Sequence, residues 1–257
     1  SSAASDVYKR QGGDVAGAAM RGLRTDTNID TISGLVFNAW GDRPIEGPYG
    51  VWFDGDWNKP RLDDPAIQKG LSDYAGLMEA GPSDILSYNW NEAGNAFCNG
   101  QAAFFADASL FGPWFETADC PISQGNTGYM ALPPQNAGGT SYTANWQWGI
   151  GMGANAQEKD AGWYFIQYMT NKSSEPKIGT FHGGAGRLST WENDEYTSTL
   201  NPDYVSATLE SMKTVRTSVV PVKDFNKYAL EVMDVILDIH SGASSEDATA
   251  KGNKNFS

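Results

Sequence analysis

Apolar residues recur along this chain at two spacings, and the changes between them mark out its elements. From Asp64 the spacing is helical: Asp64 is placed to cap, Pro65 sits in the first turn, and Ile67, Leu71, Tyr74 and Leu77 or Met78 share one face before Gly81-Pro82 stops the helix. From Asn89 it is helical again. Asn89 can cap, Glu92 can return the bond in a capping box, Ala93, Ala96, Phe97 and Gly100 form a stripe, and Asn99-Gly100 closes the helix. The run Ala102 to Ala106 is continuously apolar, which predicts a strand covered on both faces, with Asp107 at its carboxyl end. Further on, Trp146, Trp148, Ile150 and Met152 alternate with Asn145, Gln147, Gly149 and Gly151, which predicts a strand with one aromatic face. Gly128 to Leu132 reads as a brief strand closed by Pro133-Pro134. Helical spacing returns over Asp160 to Thr170, Asp203 to Lys213 and Asp224 to His240, the last with Phe225, Tyr228, Val232, Val235 and Ile239 in register. Gly12 to Leu23 and Asn28 to Trp40 are weakly helical. Pro44 to Gly55, carrying Tyr49, Trp52 and Phe53, is a hairpin or loop, and Ser241 to Ser257 is a polar tail or frayed helix.

The first eleven residues, SSAASDVYKRQ, resemble the in-frame translation of a transposon-end adapter, so Ser1 to Gln11 are expected to be non-native. On that reading the native frame enters mid-protein near Gly12. The whole chain carries 18 basic and 31 acidic residues; without Asp6, Lys9 and Arg10 the counts are 16 and 30, a net charge of −14. So acidic a surface argues against nucleic-acid binding and against docking on anionic lipid. No apolar run approaches the ~20 residues of a membrane span. Cys98 and Cys120 lie in no metal-ligand spacing, and the only histidines are His182 and His240, so no metal site or cofactor is expected.

Candidate chemistry is concentrated in a few side chains. Glu92 serves either as the return half of the capping box or as a ligand contact. Asp107 either caps the helix that follows or accepts hydrogen bonds from hydroxyl groups, since ligands bind outside the carboxyl ends of strands in α/β sheets. Trp146 and Trp148 are either core or a platform for the C–H face of a sugar, and Trp90 and Trp114 carry the same two readings. Arg187, in the glycine-rich HGGAGRLS loop, is either an ion-pair partner or a fork for vicinal hydroxyls. That loop has neither the phosphate-loop order nor the dinucleotide-binding context. A glycosidase would need two acids ~5–9 Å apart, and no sequence rule brings Glu92 and Asp107 to that distance. Nor is there a GxSxG elbow. No catalytic residue is nominated.

Taken in order, VWFDGDW at Val51, DDPAIQKGLSDYAGLMEAGP at Asp63, WNEAGNAFCNGQAAFFADAS at Trp90, GYMALPP at Gly128, NWQWGIGM at Asn145, AGWYFIQYMTN at Ala161 and GRLSTWENDEY at Gly186 resemble the extracellular solute-binding proteins of carbohydrate ABC importers, most nearly their sugar-alcohol branch. The resemblance implies an α/β fold of two lobes closing on a ligand, of which this chain holds mainly the second. Residues 12–145 would be second-lobe, 146–183 the crossover into the first lobe, and 184–257 the return. It implies ligand contacts at Asp107, Trp146, Trp148 and Arg187, with Trp90 and Glu92 beside them. One departure is GGAGRLS, where relatives often carry a proline before the arginine, which bears on the pose of Arg187. It further implies a monomer in the periplasm, or extracellular and membrane-associated, that delivers a sugar or sugar alcohol to permease subunits, with Cys98 and Cys120 compatible with export. The rival expectation is a fragment of a carbohydrate-active enzyme.

Overall fold

The computed structural model of the protein describes residues 15–256 apart from 46, 48, 49, 183 and 219. The adapter-like Ser1 to Gln11 and the loop residue Tyr49 lie outside the described residues. In chain order the principal elements are β1 (Ala16–Ala19), α1 (Ile29–Trp40), α2 (Pro65–Glu79), α3 (Trp90–Cys98), β2 (Ala102–Phe105), β3 (Thr143–Asn145), α4 (Lys159–Thr170), α5 (Glu175–His182), α6 (Pro202–Met212), β4 (Val215–Thr217), α7 (Phe225–His240) and α8 (Ser245–Phe256). The chain divides into two compact units. The first holds the described residues through Asp107, Ala131–Trp146 and Ser211 onward; the second holds Ala108–Met130 and Gln147–Glu210.

In the first unit the helix signals act as their chemistry requires. The Asp64 side chain accepts from the Ala66 N–H and Pro65 opens α2. At α3 the capping box is complete, with the Asn89 N–H donating to Glu92 Oε2 at 3.0 Å. Gly100, at φ +70°, takes the left-handed position after α3, whereas Asn99 stays at φ −91°. The apolar stripes of α1, α2 and α7 meet in one core around Ile32, Val36, Leu71, Tyr74, Tyr228, Val232 and Ile236. α1 and α2 approach so closely that a Cβ on Gly70 would stand 2.6 Å from Val36 Cα. The C-terminal segment is more than a tail: α8 buries Ala248, Thr249 and Gly252, and Gly252 lets it lie against Val235 and Leu62.

Two short parallel pairs complete this unit. β1 pairs with β2 in the register Ala16↔Ala102, Ala18↔Phe104 and Ala19↔Phe105. β3 pairs with β4 from Thr143↔Val215 to Asn145↔Thr217. The weak helical reading of Gly12 to Leu23 therefore fails over Ala16–Ala19. Four small residues can pack as a strand as readily as on a helix, and the β2 ladder decides between them. The covered strand predicted for Ala102 to Ala106 is also corrected: β2 ends at Phe105, and its described neighbours cover Ala102 but leave Phe104 exposed.

The second unit is built from helices, and none of its described residues forms a strand. Its core is aromatic: Trp191, Tyr196 and Tyr204 pack with Ala185, backed by Tyr129 and Leu209. Glu116 ties its loops together, accepting from the Tyr129 hydroxyl at 3.0 Å, from Asn201 Nδ2 at 2.9 Å and from the Gly125 N–H at 2.9 Å. Residues 128–132 and 146–152 join no ladder, so neither predicted strand forms beyond β3, which stops at Asn145. Alternation supplies a face for a strand, but the ladder must come from a neighbour.

Candidate functional site

The parallel register of β1 and β2 sets the geometry that matters most. Ala19 stands opposite Phe105, so two residues further on Arg21 and Asp107 emerge side by side at the carboxyl ends of both strands. There they form a side-on fork. Arg21 Nε donates to Asp107 Oδ2 at 2.6 Å and Nη2 donates to Oδ1 at 2.5 Å. The two side chains are 7% and 1% exposed. Arg21 Nη1 donates to the Thr27 carbonyl at 3.2 Å. The Tyr74 hydroxyl, reaching in from α2, donates to the Arg21 carbonyl at 2.8 Å.

A second carboxylate faces the same guanidinium. Asp30, in the first turn of α1, holds Oδ2 3.7 Å from Arg21 Nη1, beyond hydrogen-bond reach, with its side chain 17% exposed. Its other oxygen, Oδ1, is buried without a hydrogen-bond partner. Burial raises the Asp30 pKa, the Arg21 charge pulls it back, and Asp107 and Asp26 push it up again, leaving it at about 7. For Arg21, burial works against the charge, but the hydrogen bonds and charge of Asp107 outweigh it and the pKa rises. Burial likewise carries the Tyr74 phenol above its usual range. Asn28 is fully buried beside them. Its amide donates to the Leu23 carbonyl at 2.8 Å while its Oδ1 lacks a hydrogen-bond partner.

The other nominated residues fall into separate places. Trp90 and Glu92 share the first turn of α3, with Glu92 engaged in the capping box and Trp90 47% exposed. Trp146 follows β3 directly and is 43% exposed, while Trp148, in the second unit, is 85% exposed. Arg187, also in the second unit, donates through Nε at 3.0 Å and Nη2 at 2.5 Å to the carbonyl of Thr170, the last residue of α4. It thus satisfies a carbonyl at a helix C-terminus. Both cysteines are disulfide-bonded. Among the described residues no group of three or more His, Cys, Asp or Glu side chains could hold a metal ion, and no helix is long and apolar enough to cross a membrane. Arg21 and Asp30 were missed from sequence. The signal was a small-residue strand with an arginine just past its end, masked by the helical reading of Gly12 to Leu23.

Residues 26–176, more than half of the chain, match the family model described as bacterial extracellular solute-binding protein. The chain belongs to this family. No curated protein matches the sequence at a significant level. Among solved structures, this solute-binding protein is similar to one from Agrobacterium vitis S4 with bound D-mannitol, at 21% identity and TM-score 0.78, covering 99% of this chain and 63% of that one. It is similar to one from Agrobacterium radiobacter K84 in complex with ribitol, at 18% identity and TM-score 0.76, covering 99% and 61%. A maltose-bound protein of T. maritima matches at 18% identity and TM-score 0.78, covering 98% and 62%. The fold is therefore the α/β fold of two-lobe periplasmic binding proteins, and the chain spans about three-fifths of the length of these structures, 61% to 63%.

Proposed function

We propose that this protein captures a sugar or sugar alcohol outside the cytoplasm and delivers it to the permease of an ABC importer. It acts by binding, without catalysis. The observation that carries this reading is the Arg21–Asp107 fork at the carboxyl ends of β1 and β2, inside a chain of the solute-binding family. A carboxylate held through both oxygens by a guanidinium keeps further lone pairs in fixed directions, which suits hydroxyl donors on a polyol. The ligands named for the similar structures, D-mannitol, ribitol and maltose, are all of that chemistry.

Trp146 and Trp148 are the proposed stacking surfaces. An indole that is 85% exposed, as Trp148 is, offers an apolar face to the C–H side of a sugar ring or chain. Trp90, Glu92 and Arg187 are proposed as further contacts to hydroxyl groups. The crossover into the first lobe is proposed to start at Trp146, where the chain passes between the two units as it also does after Asp107, Met130 and Glu210. The protein works as a monomer in the periplasm and does not bind nucleic acid. The disulfide state of both cysteines supports the oxidising compartment.

The test is a tryptophan-fluorescence titration of the purified protein with D-mannitol, ribitol and maltose. A saturable change with at least one of them, abolished in Asp107→Ala and weakened in Trp148→Ala, supports the reading. Linear, unsaturable responses to all three would sink it.

A further inference from the structure

The Arg21–Asp107 fork leaves one feature of its surroundings unaccounted for. Arg21 faces two carboxylates but hydrogen-bonds only one: Asp107 takes Nε and Nη2, while Asp30 stands 3.7 Å from Nη1. A buried carboxylate ordinarily has its oxygens bonded, yet Asp30 Oδ1 has no partner. The groups around it offer little relief. Asp107 beyond β2 and Asp26 in the turn before α1 are both acidic. Tyr74 on α2 directs its hydroxyl to the Arg21 carbonyl, with Thr31 Oγ1 3.3 Å away. On α7 the acids Asp234 and Glu231 act on Arg24. One guanidinium thus faces two carboxylates, with a third acid, Asp26, acting on Asp30.

From this geometry we infer that Asp30 is a positioning residue for ligand binding at Asp107, its charge state deciding whether Arg21 serves one carboxylate or two. The inference rests on the proposed binding role of Asp107. With Asp30 neutral, Asp107 is the one anion that Arg21 pairs with, and the Asp107 oxygens keep fixed directions for hydroxyl donors. With Asp30 ionised, a second anion draws on Nη1 and the fork loosens. The raised pKa of Asp30, about 7, puts the change within the neutral range. Ligand affinity therefore falls as pH rises through neutrality. Proton and ligand are linked through one guanidinium, so the coupling is reciprocal.

The experiment follows the Arg21 Nε–H resonance by NMR in the ligand-free protein between about pH 5 and about pH 9, beside D-mannitol titrations at about pH 6 and about pH 8, either side of the Asp30 transition. In the wild type the resonance shifts with a midpoint near neutrality, and the mannitol Kd rises by about fivefold or more between the two pH values. In Asp30→Asn both responses are flat. Asp26→Asn, which removes an acid that raises the Asp30 pKa, moves the midpoint to lower pH and keeps the test decisive if Asp30→Asn does not fold. A resonance that does not move in the wild type, or moves alike in wild type and Asp30→Asn, overturns the inference. If D-mannitol, ribitol and maltose all fail to bind at either pH, the binding reading falls and takes the ligand half of this inference with it. The Arg21 resonance still decides whether Asp30 governs the fork.

Discussion

Replacing Asp30 by Asn should make the protein more stable above neutral pH and remove part of its stability-versus-pH slope. The sign follows from linkage. The folded-state pKa of Asp30, about 7, lies above the ordinary value of 3.8. The native state therefore binds more protons than the unfolded state between those values, and stability falls as pH rises through that window. Below it the carboxyl is protonated in both states and nothing is lost; above it the full penalty applies. A shift of about three pKa units corresponds to ~4 kcal/mol at 1.36 kcal/mol per unit. Asp30 retains some solvent contact, and screening reduces such figures, so we take about 2 kcal/mol as the expected effect. Urea denaturation of both proteins at about pH 5 and about pH 8 measures it. Asp30→Asn should gain about 2 kcal/mol on the wild type at the higher pH and far less at the lower. A variant that is less stable than wild type at the higher pH, with an unchanged slope, would show that Asp30 works as a charged partner of Arg21 and refute the argument.

Other changes test the surrounding structure. Asp107→Ala leaves Arg21 buried without its main partner and should cost about 3–5 kcal/mol by urea denaturation; a loss below ~1 kcal/mol would mean that the pair is solvated. Gly70→Ala drives a Cβ to 2.6 Å from Val36 Cα and should destabilise by about 1–3 kcal/mol, read as a lower Tm. Asn89→Ala removes the α3 cap and should cost about 1 kcal/mol. Tyr164→Glu, on the exposed side of α4, should stay within about 0.5 kcal/mol of wild type.

Much of the first unit was legible because its signals are local. The Asp64 and Asn89 caps, the Pro65 entry and the stripes of α2 and α7 each lie within a few residues of the helix they specify. The strands were legible only where an apolar run marked them, as at β2. β1 has four small residues that favour no element, and only its register with β2 makes it a strand. The same dependence explains residues 146–152, where a clean alternation yields no ladder. The Arg21–Asp107 fork was the least legible feature. Arg21 and Asp107 are 86 positions apart, and their meeting follows from parallel pairing that no local window contains.

What each nominated side chain already does ranks the candidates for ligand contact. Glu92 gives Oε2 to the Asn89 N–H, so a ligand there competes with a helix cap or shares its oxygens. Arg187 directs Nε and Nη2 at the Thr170 carbonyl, which leaves only Nη1 outside that helix-end bond. Asp107 is also engaged, and a buried cation holds both of its oxygens. Engagement of that kind prepares an acceptor for hydroxyl groups, because the cost of ordering the carboxylate is met on folding rather than on binding. A helix cap or a helix-end bond offers no such preparation, since any ligand must share or displace it. Of the polar residues nominated from sequence, Asp107 is therefore the most pre-ordered acceptor, and at 1% exposure a ligand reaches it only by displacing what covers it. Arg21 and Asp30, invisible to that reading, set the terms on which we propose that it binds.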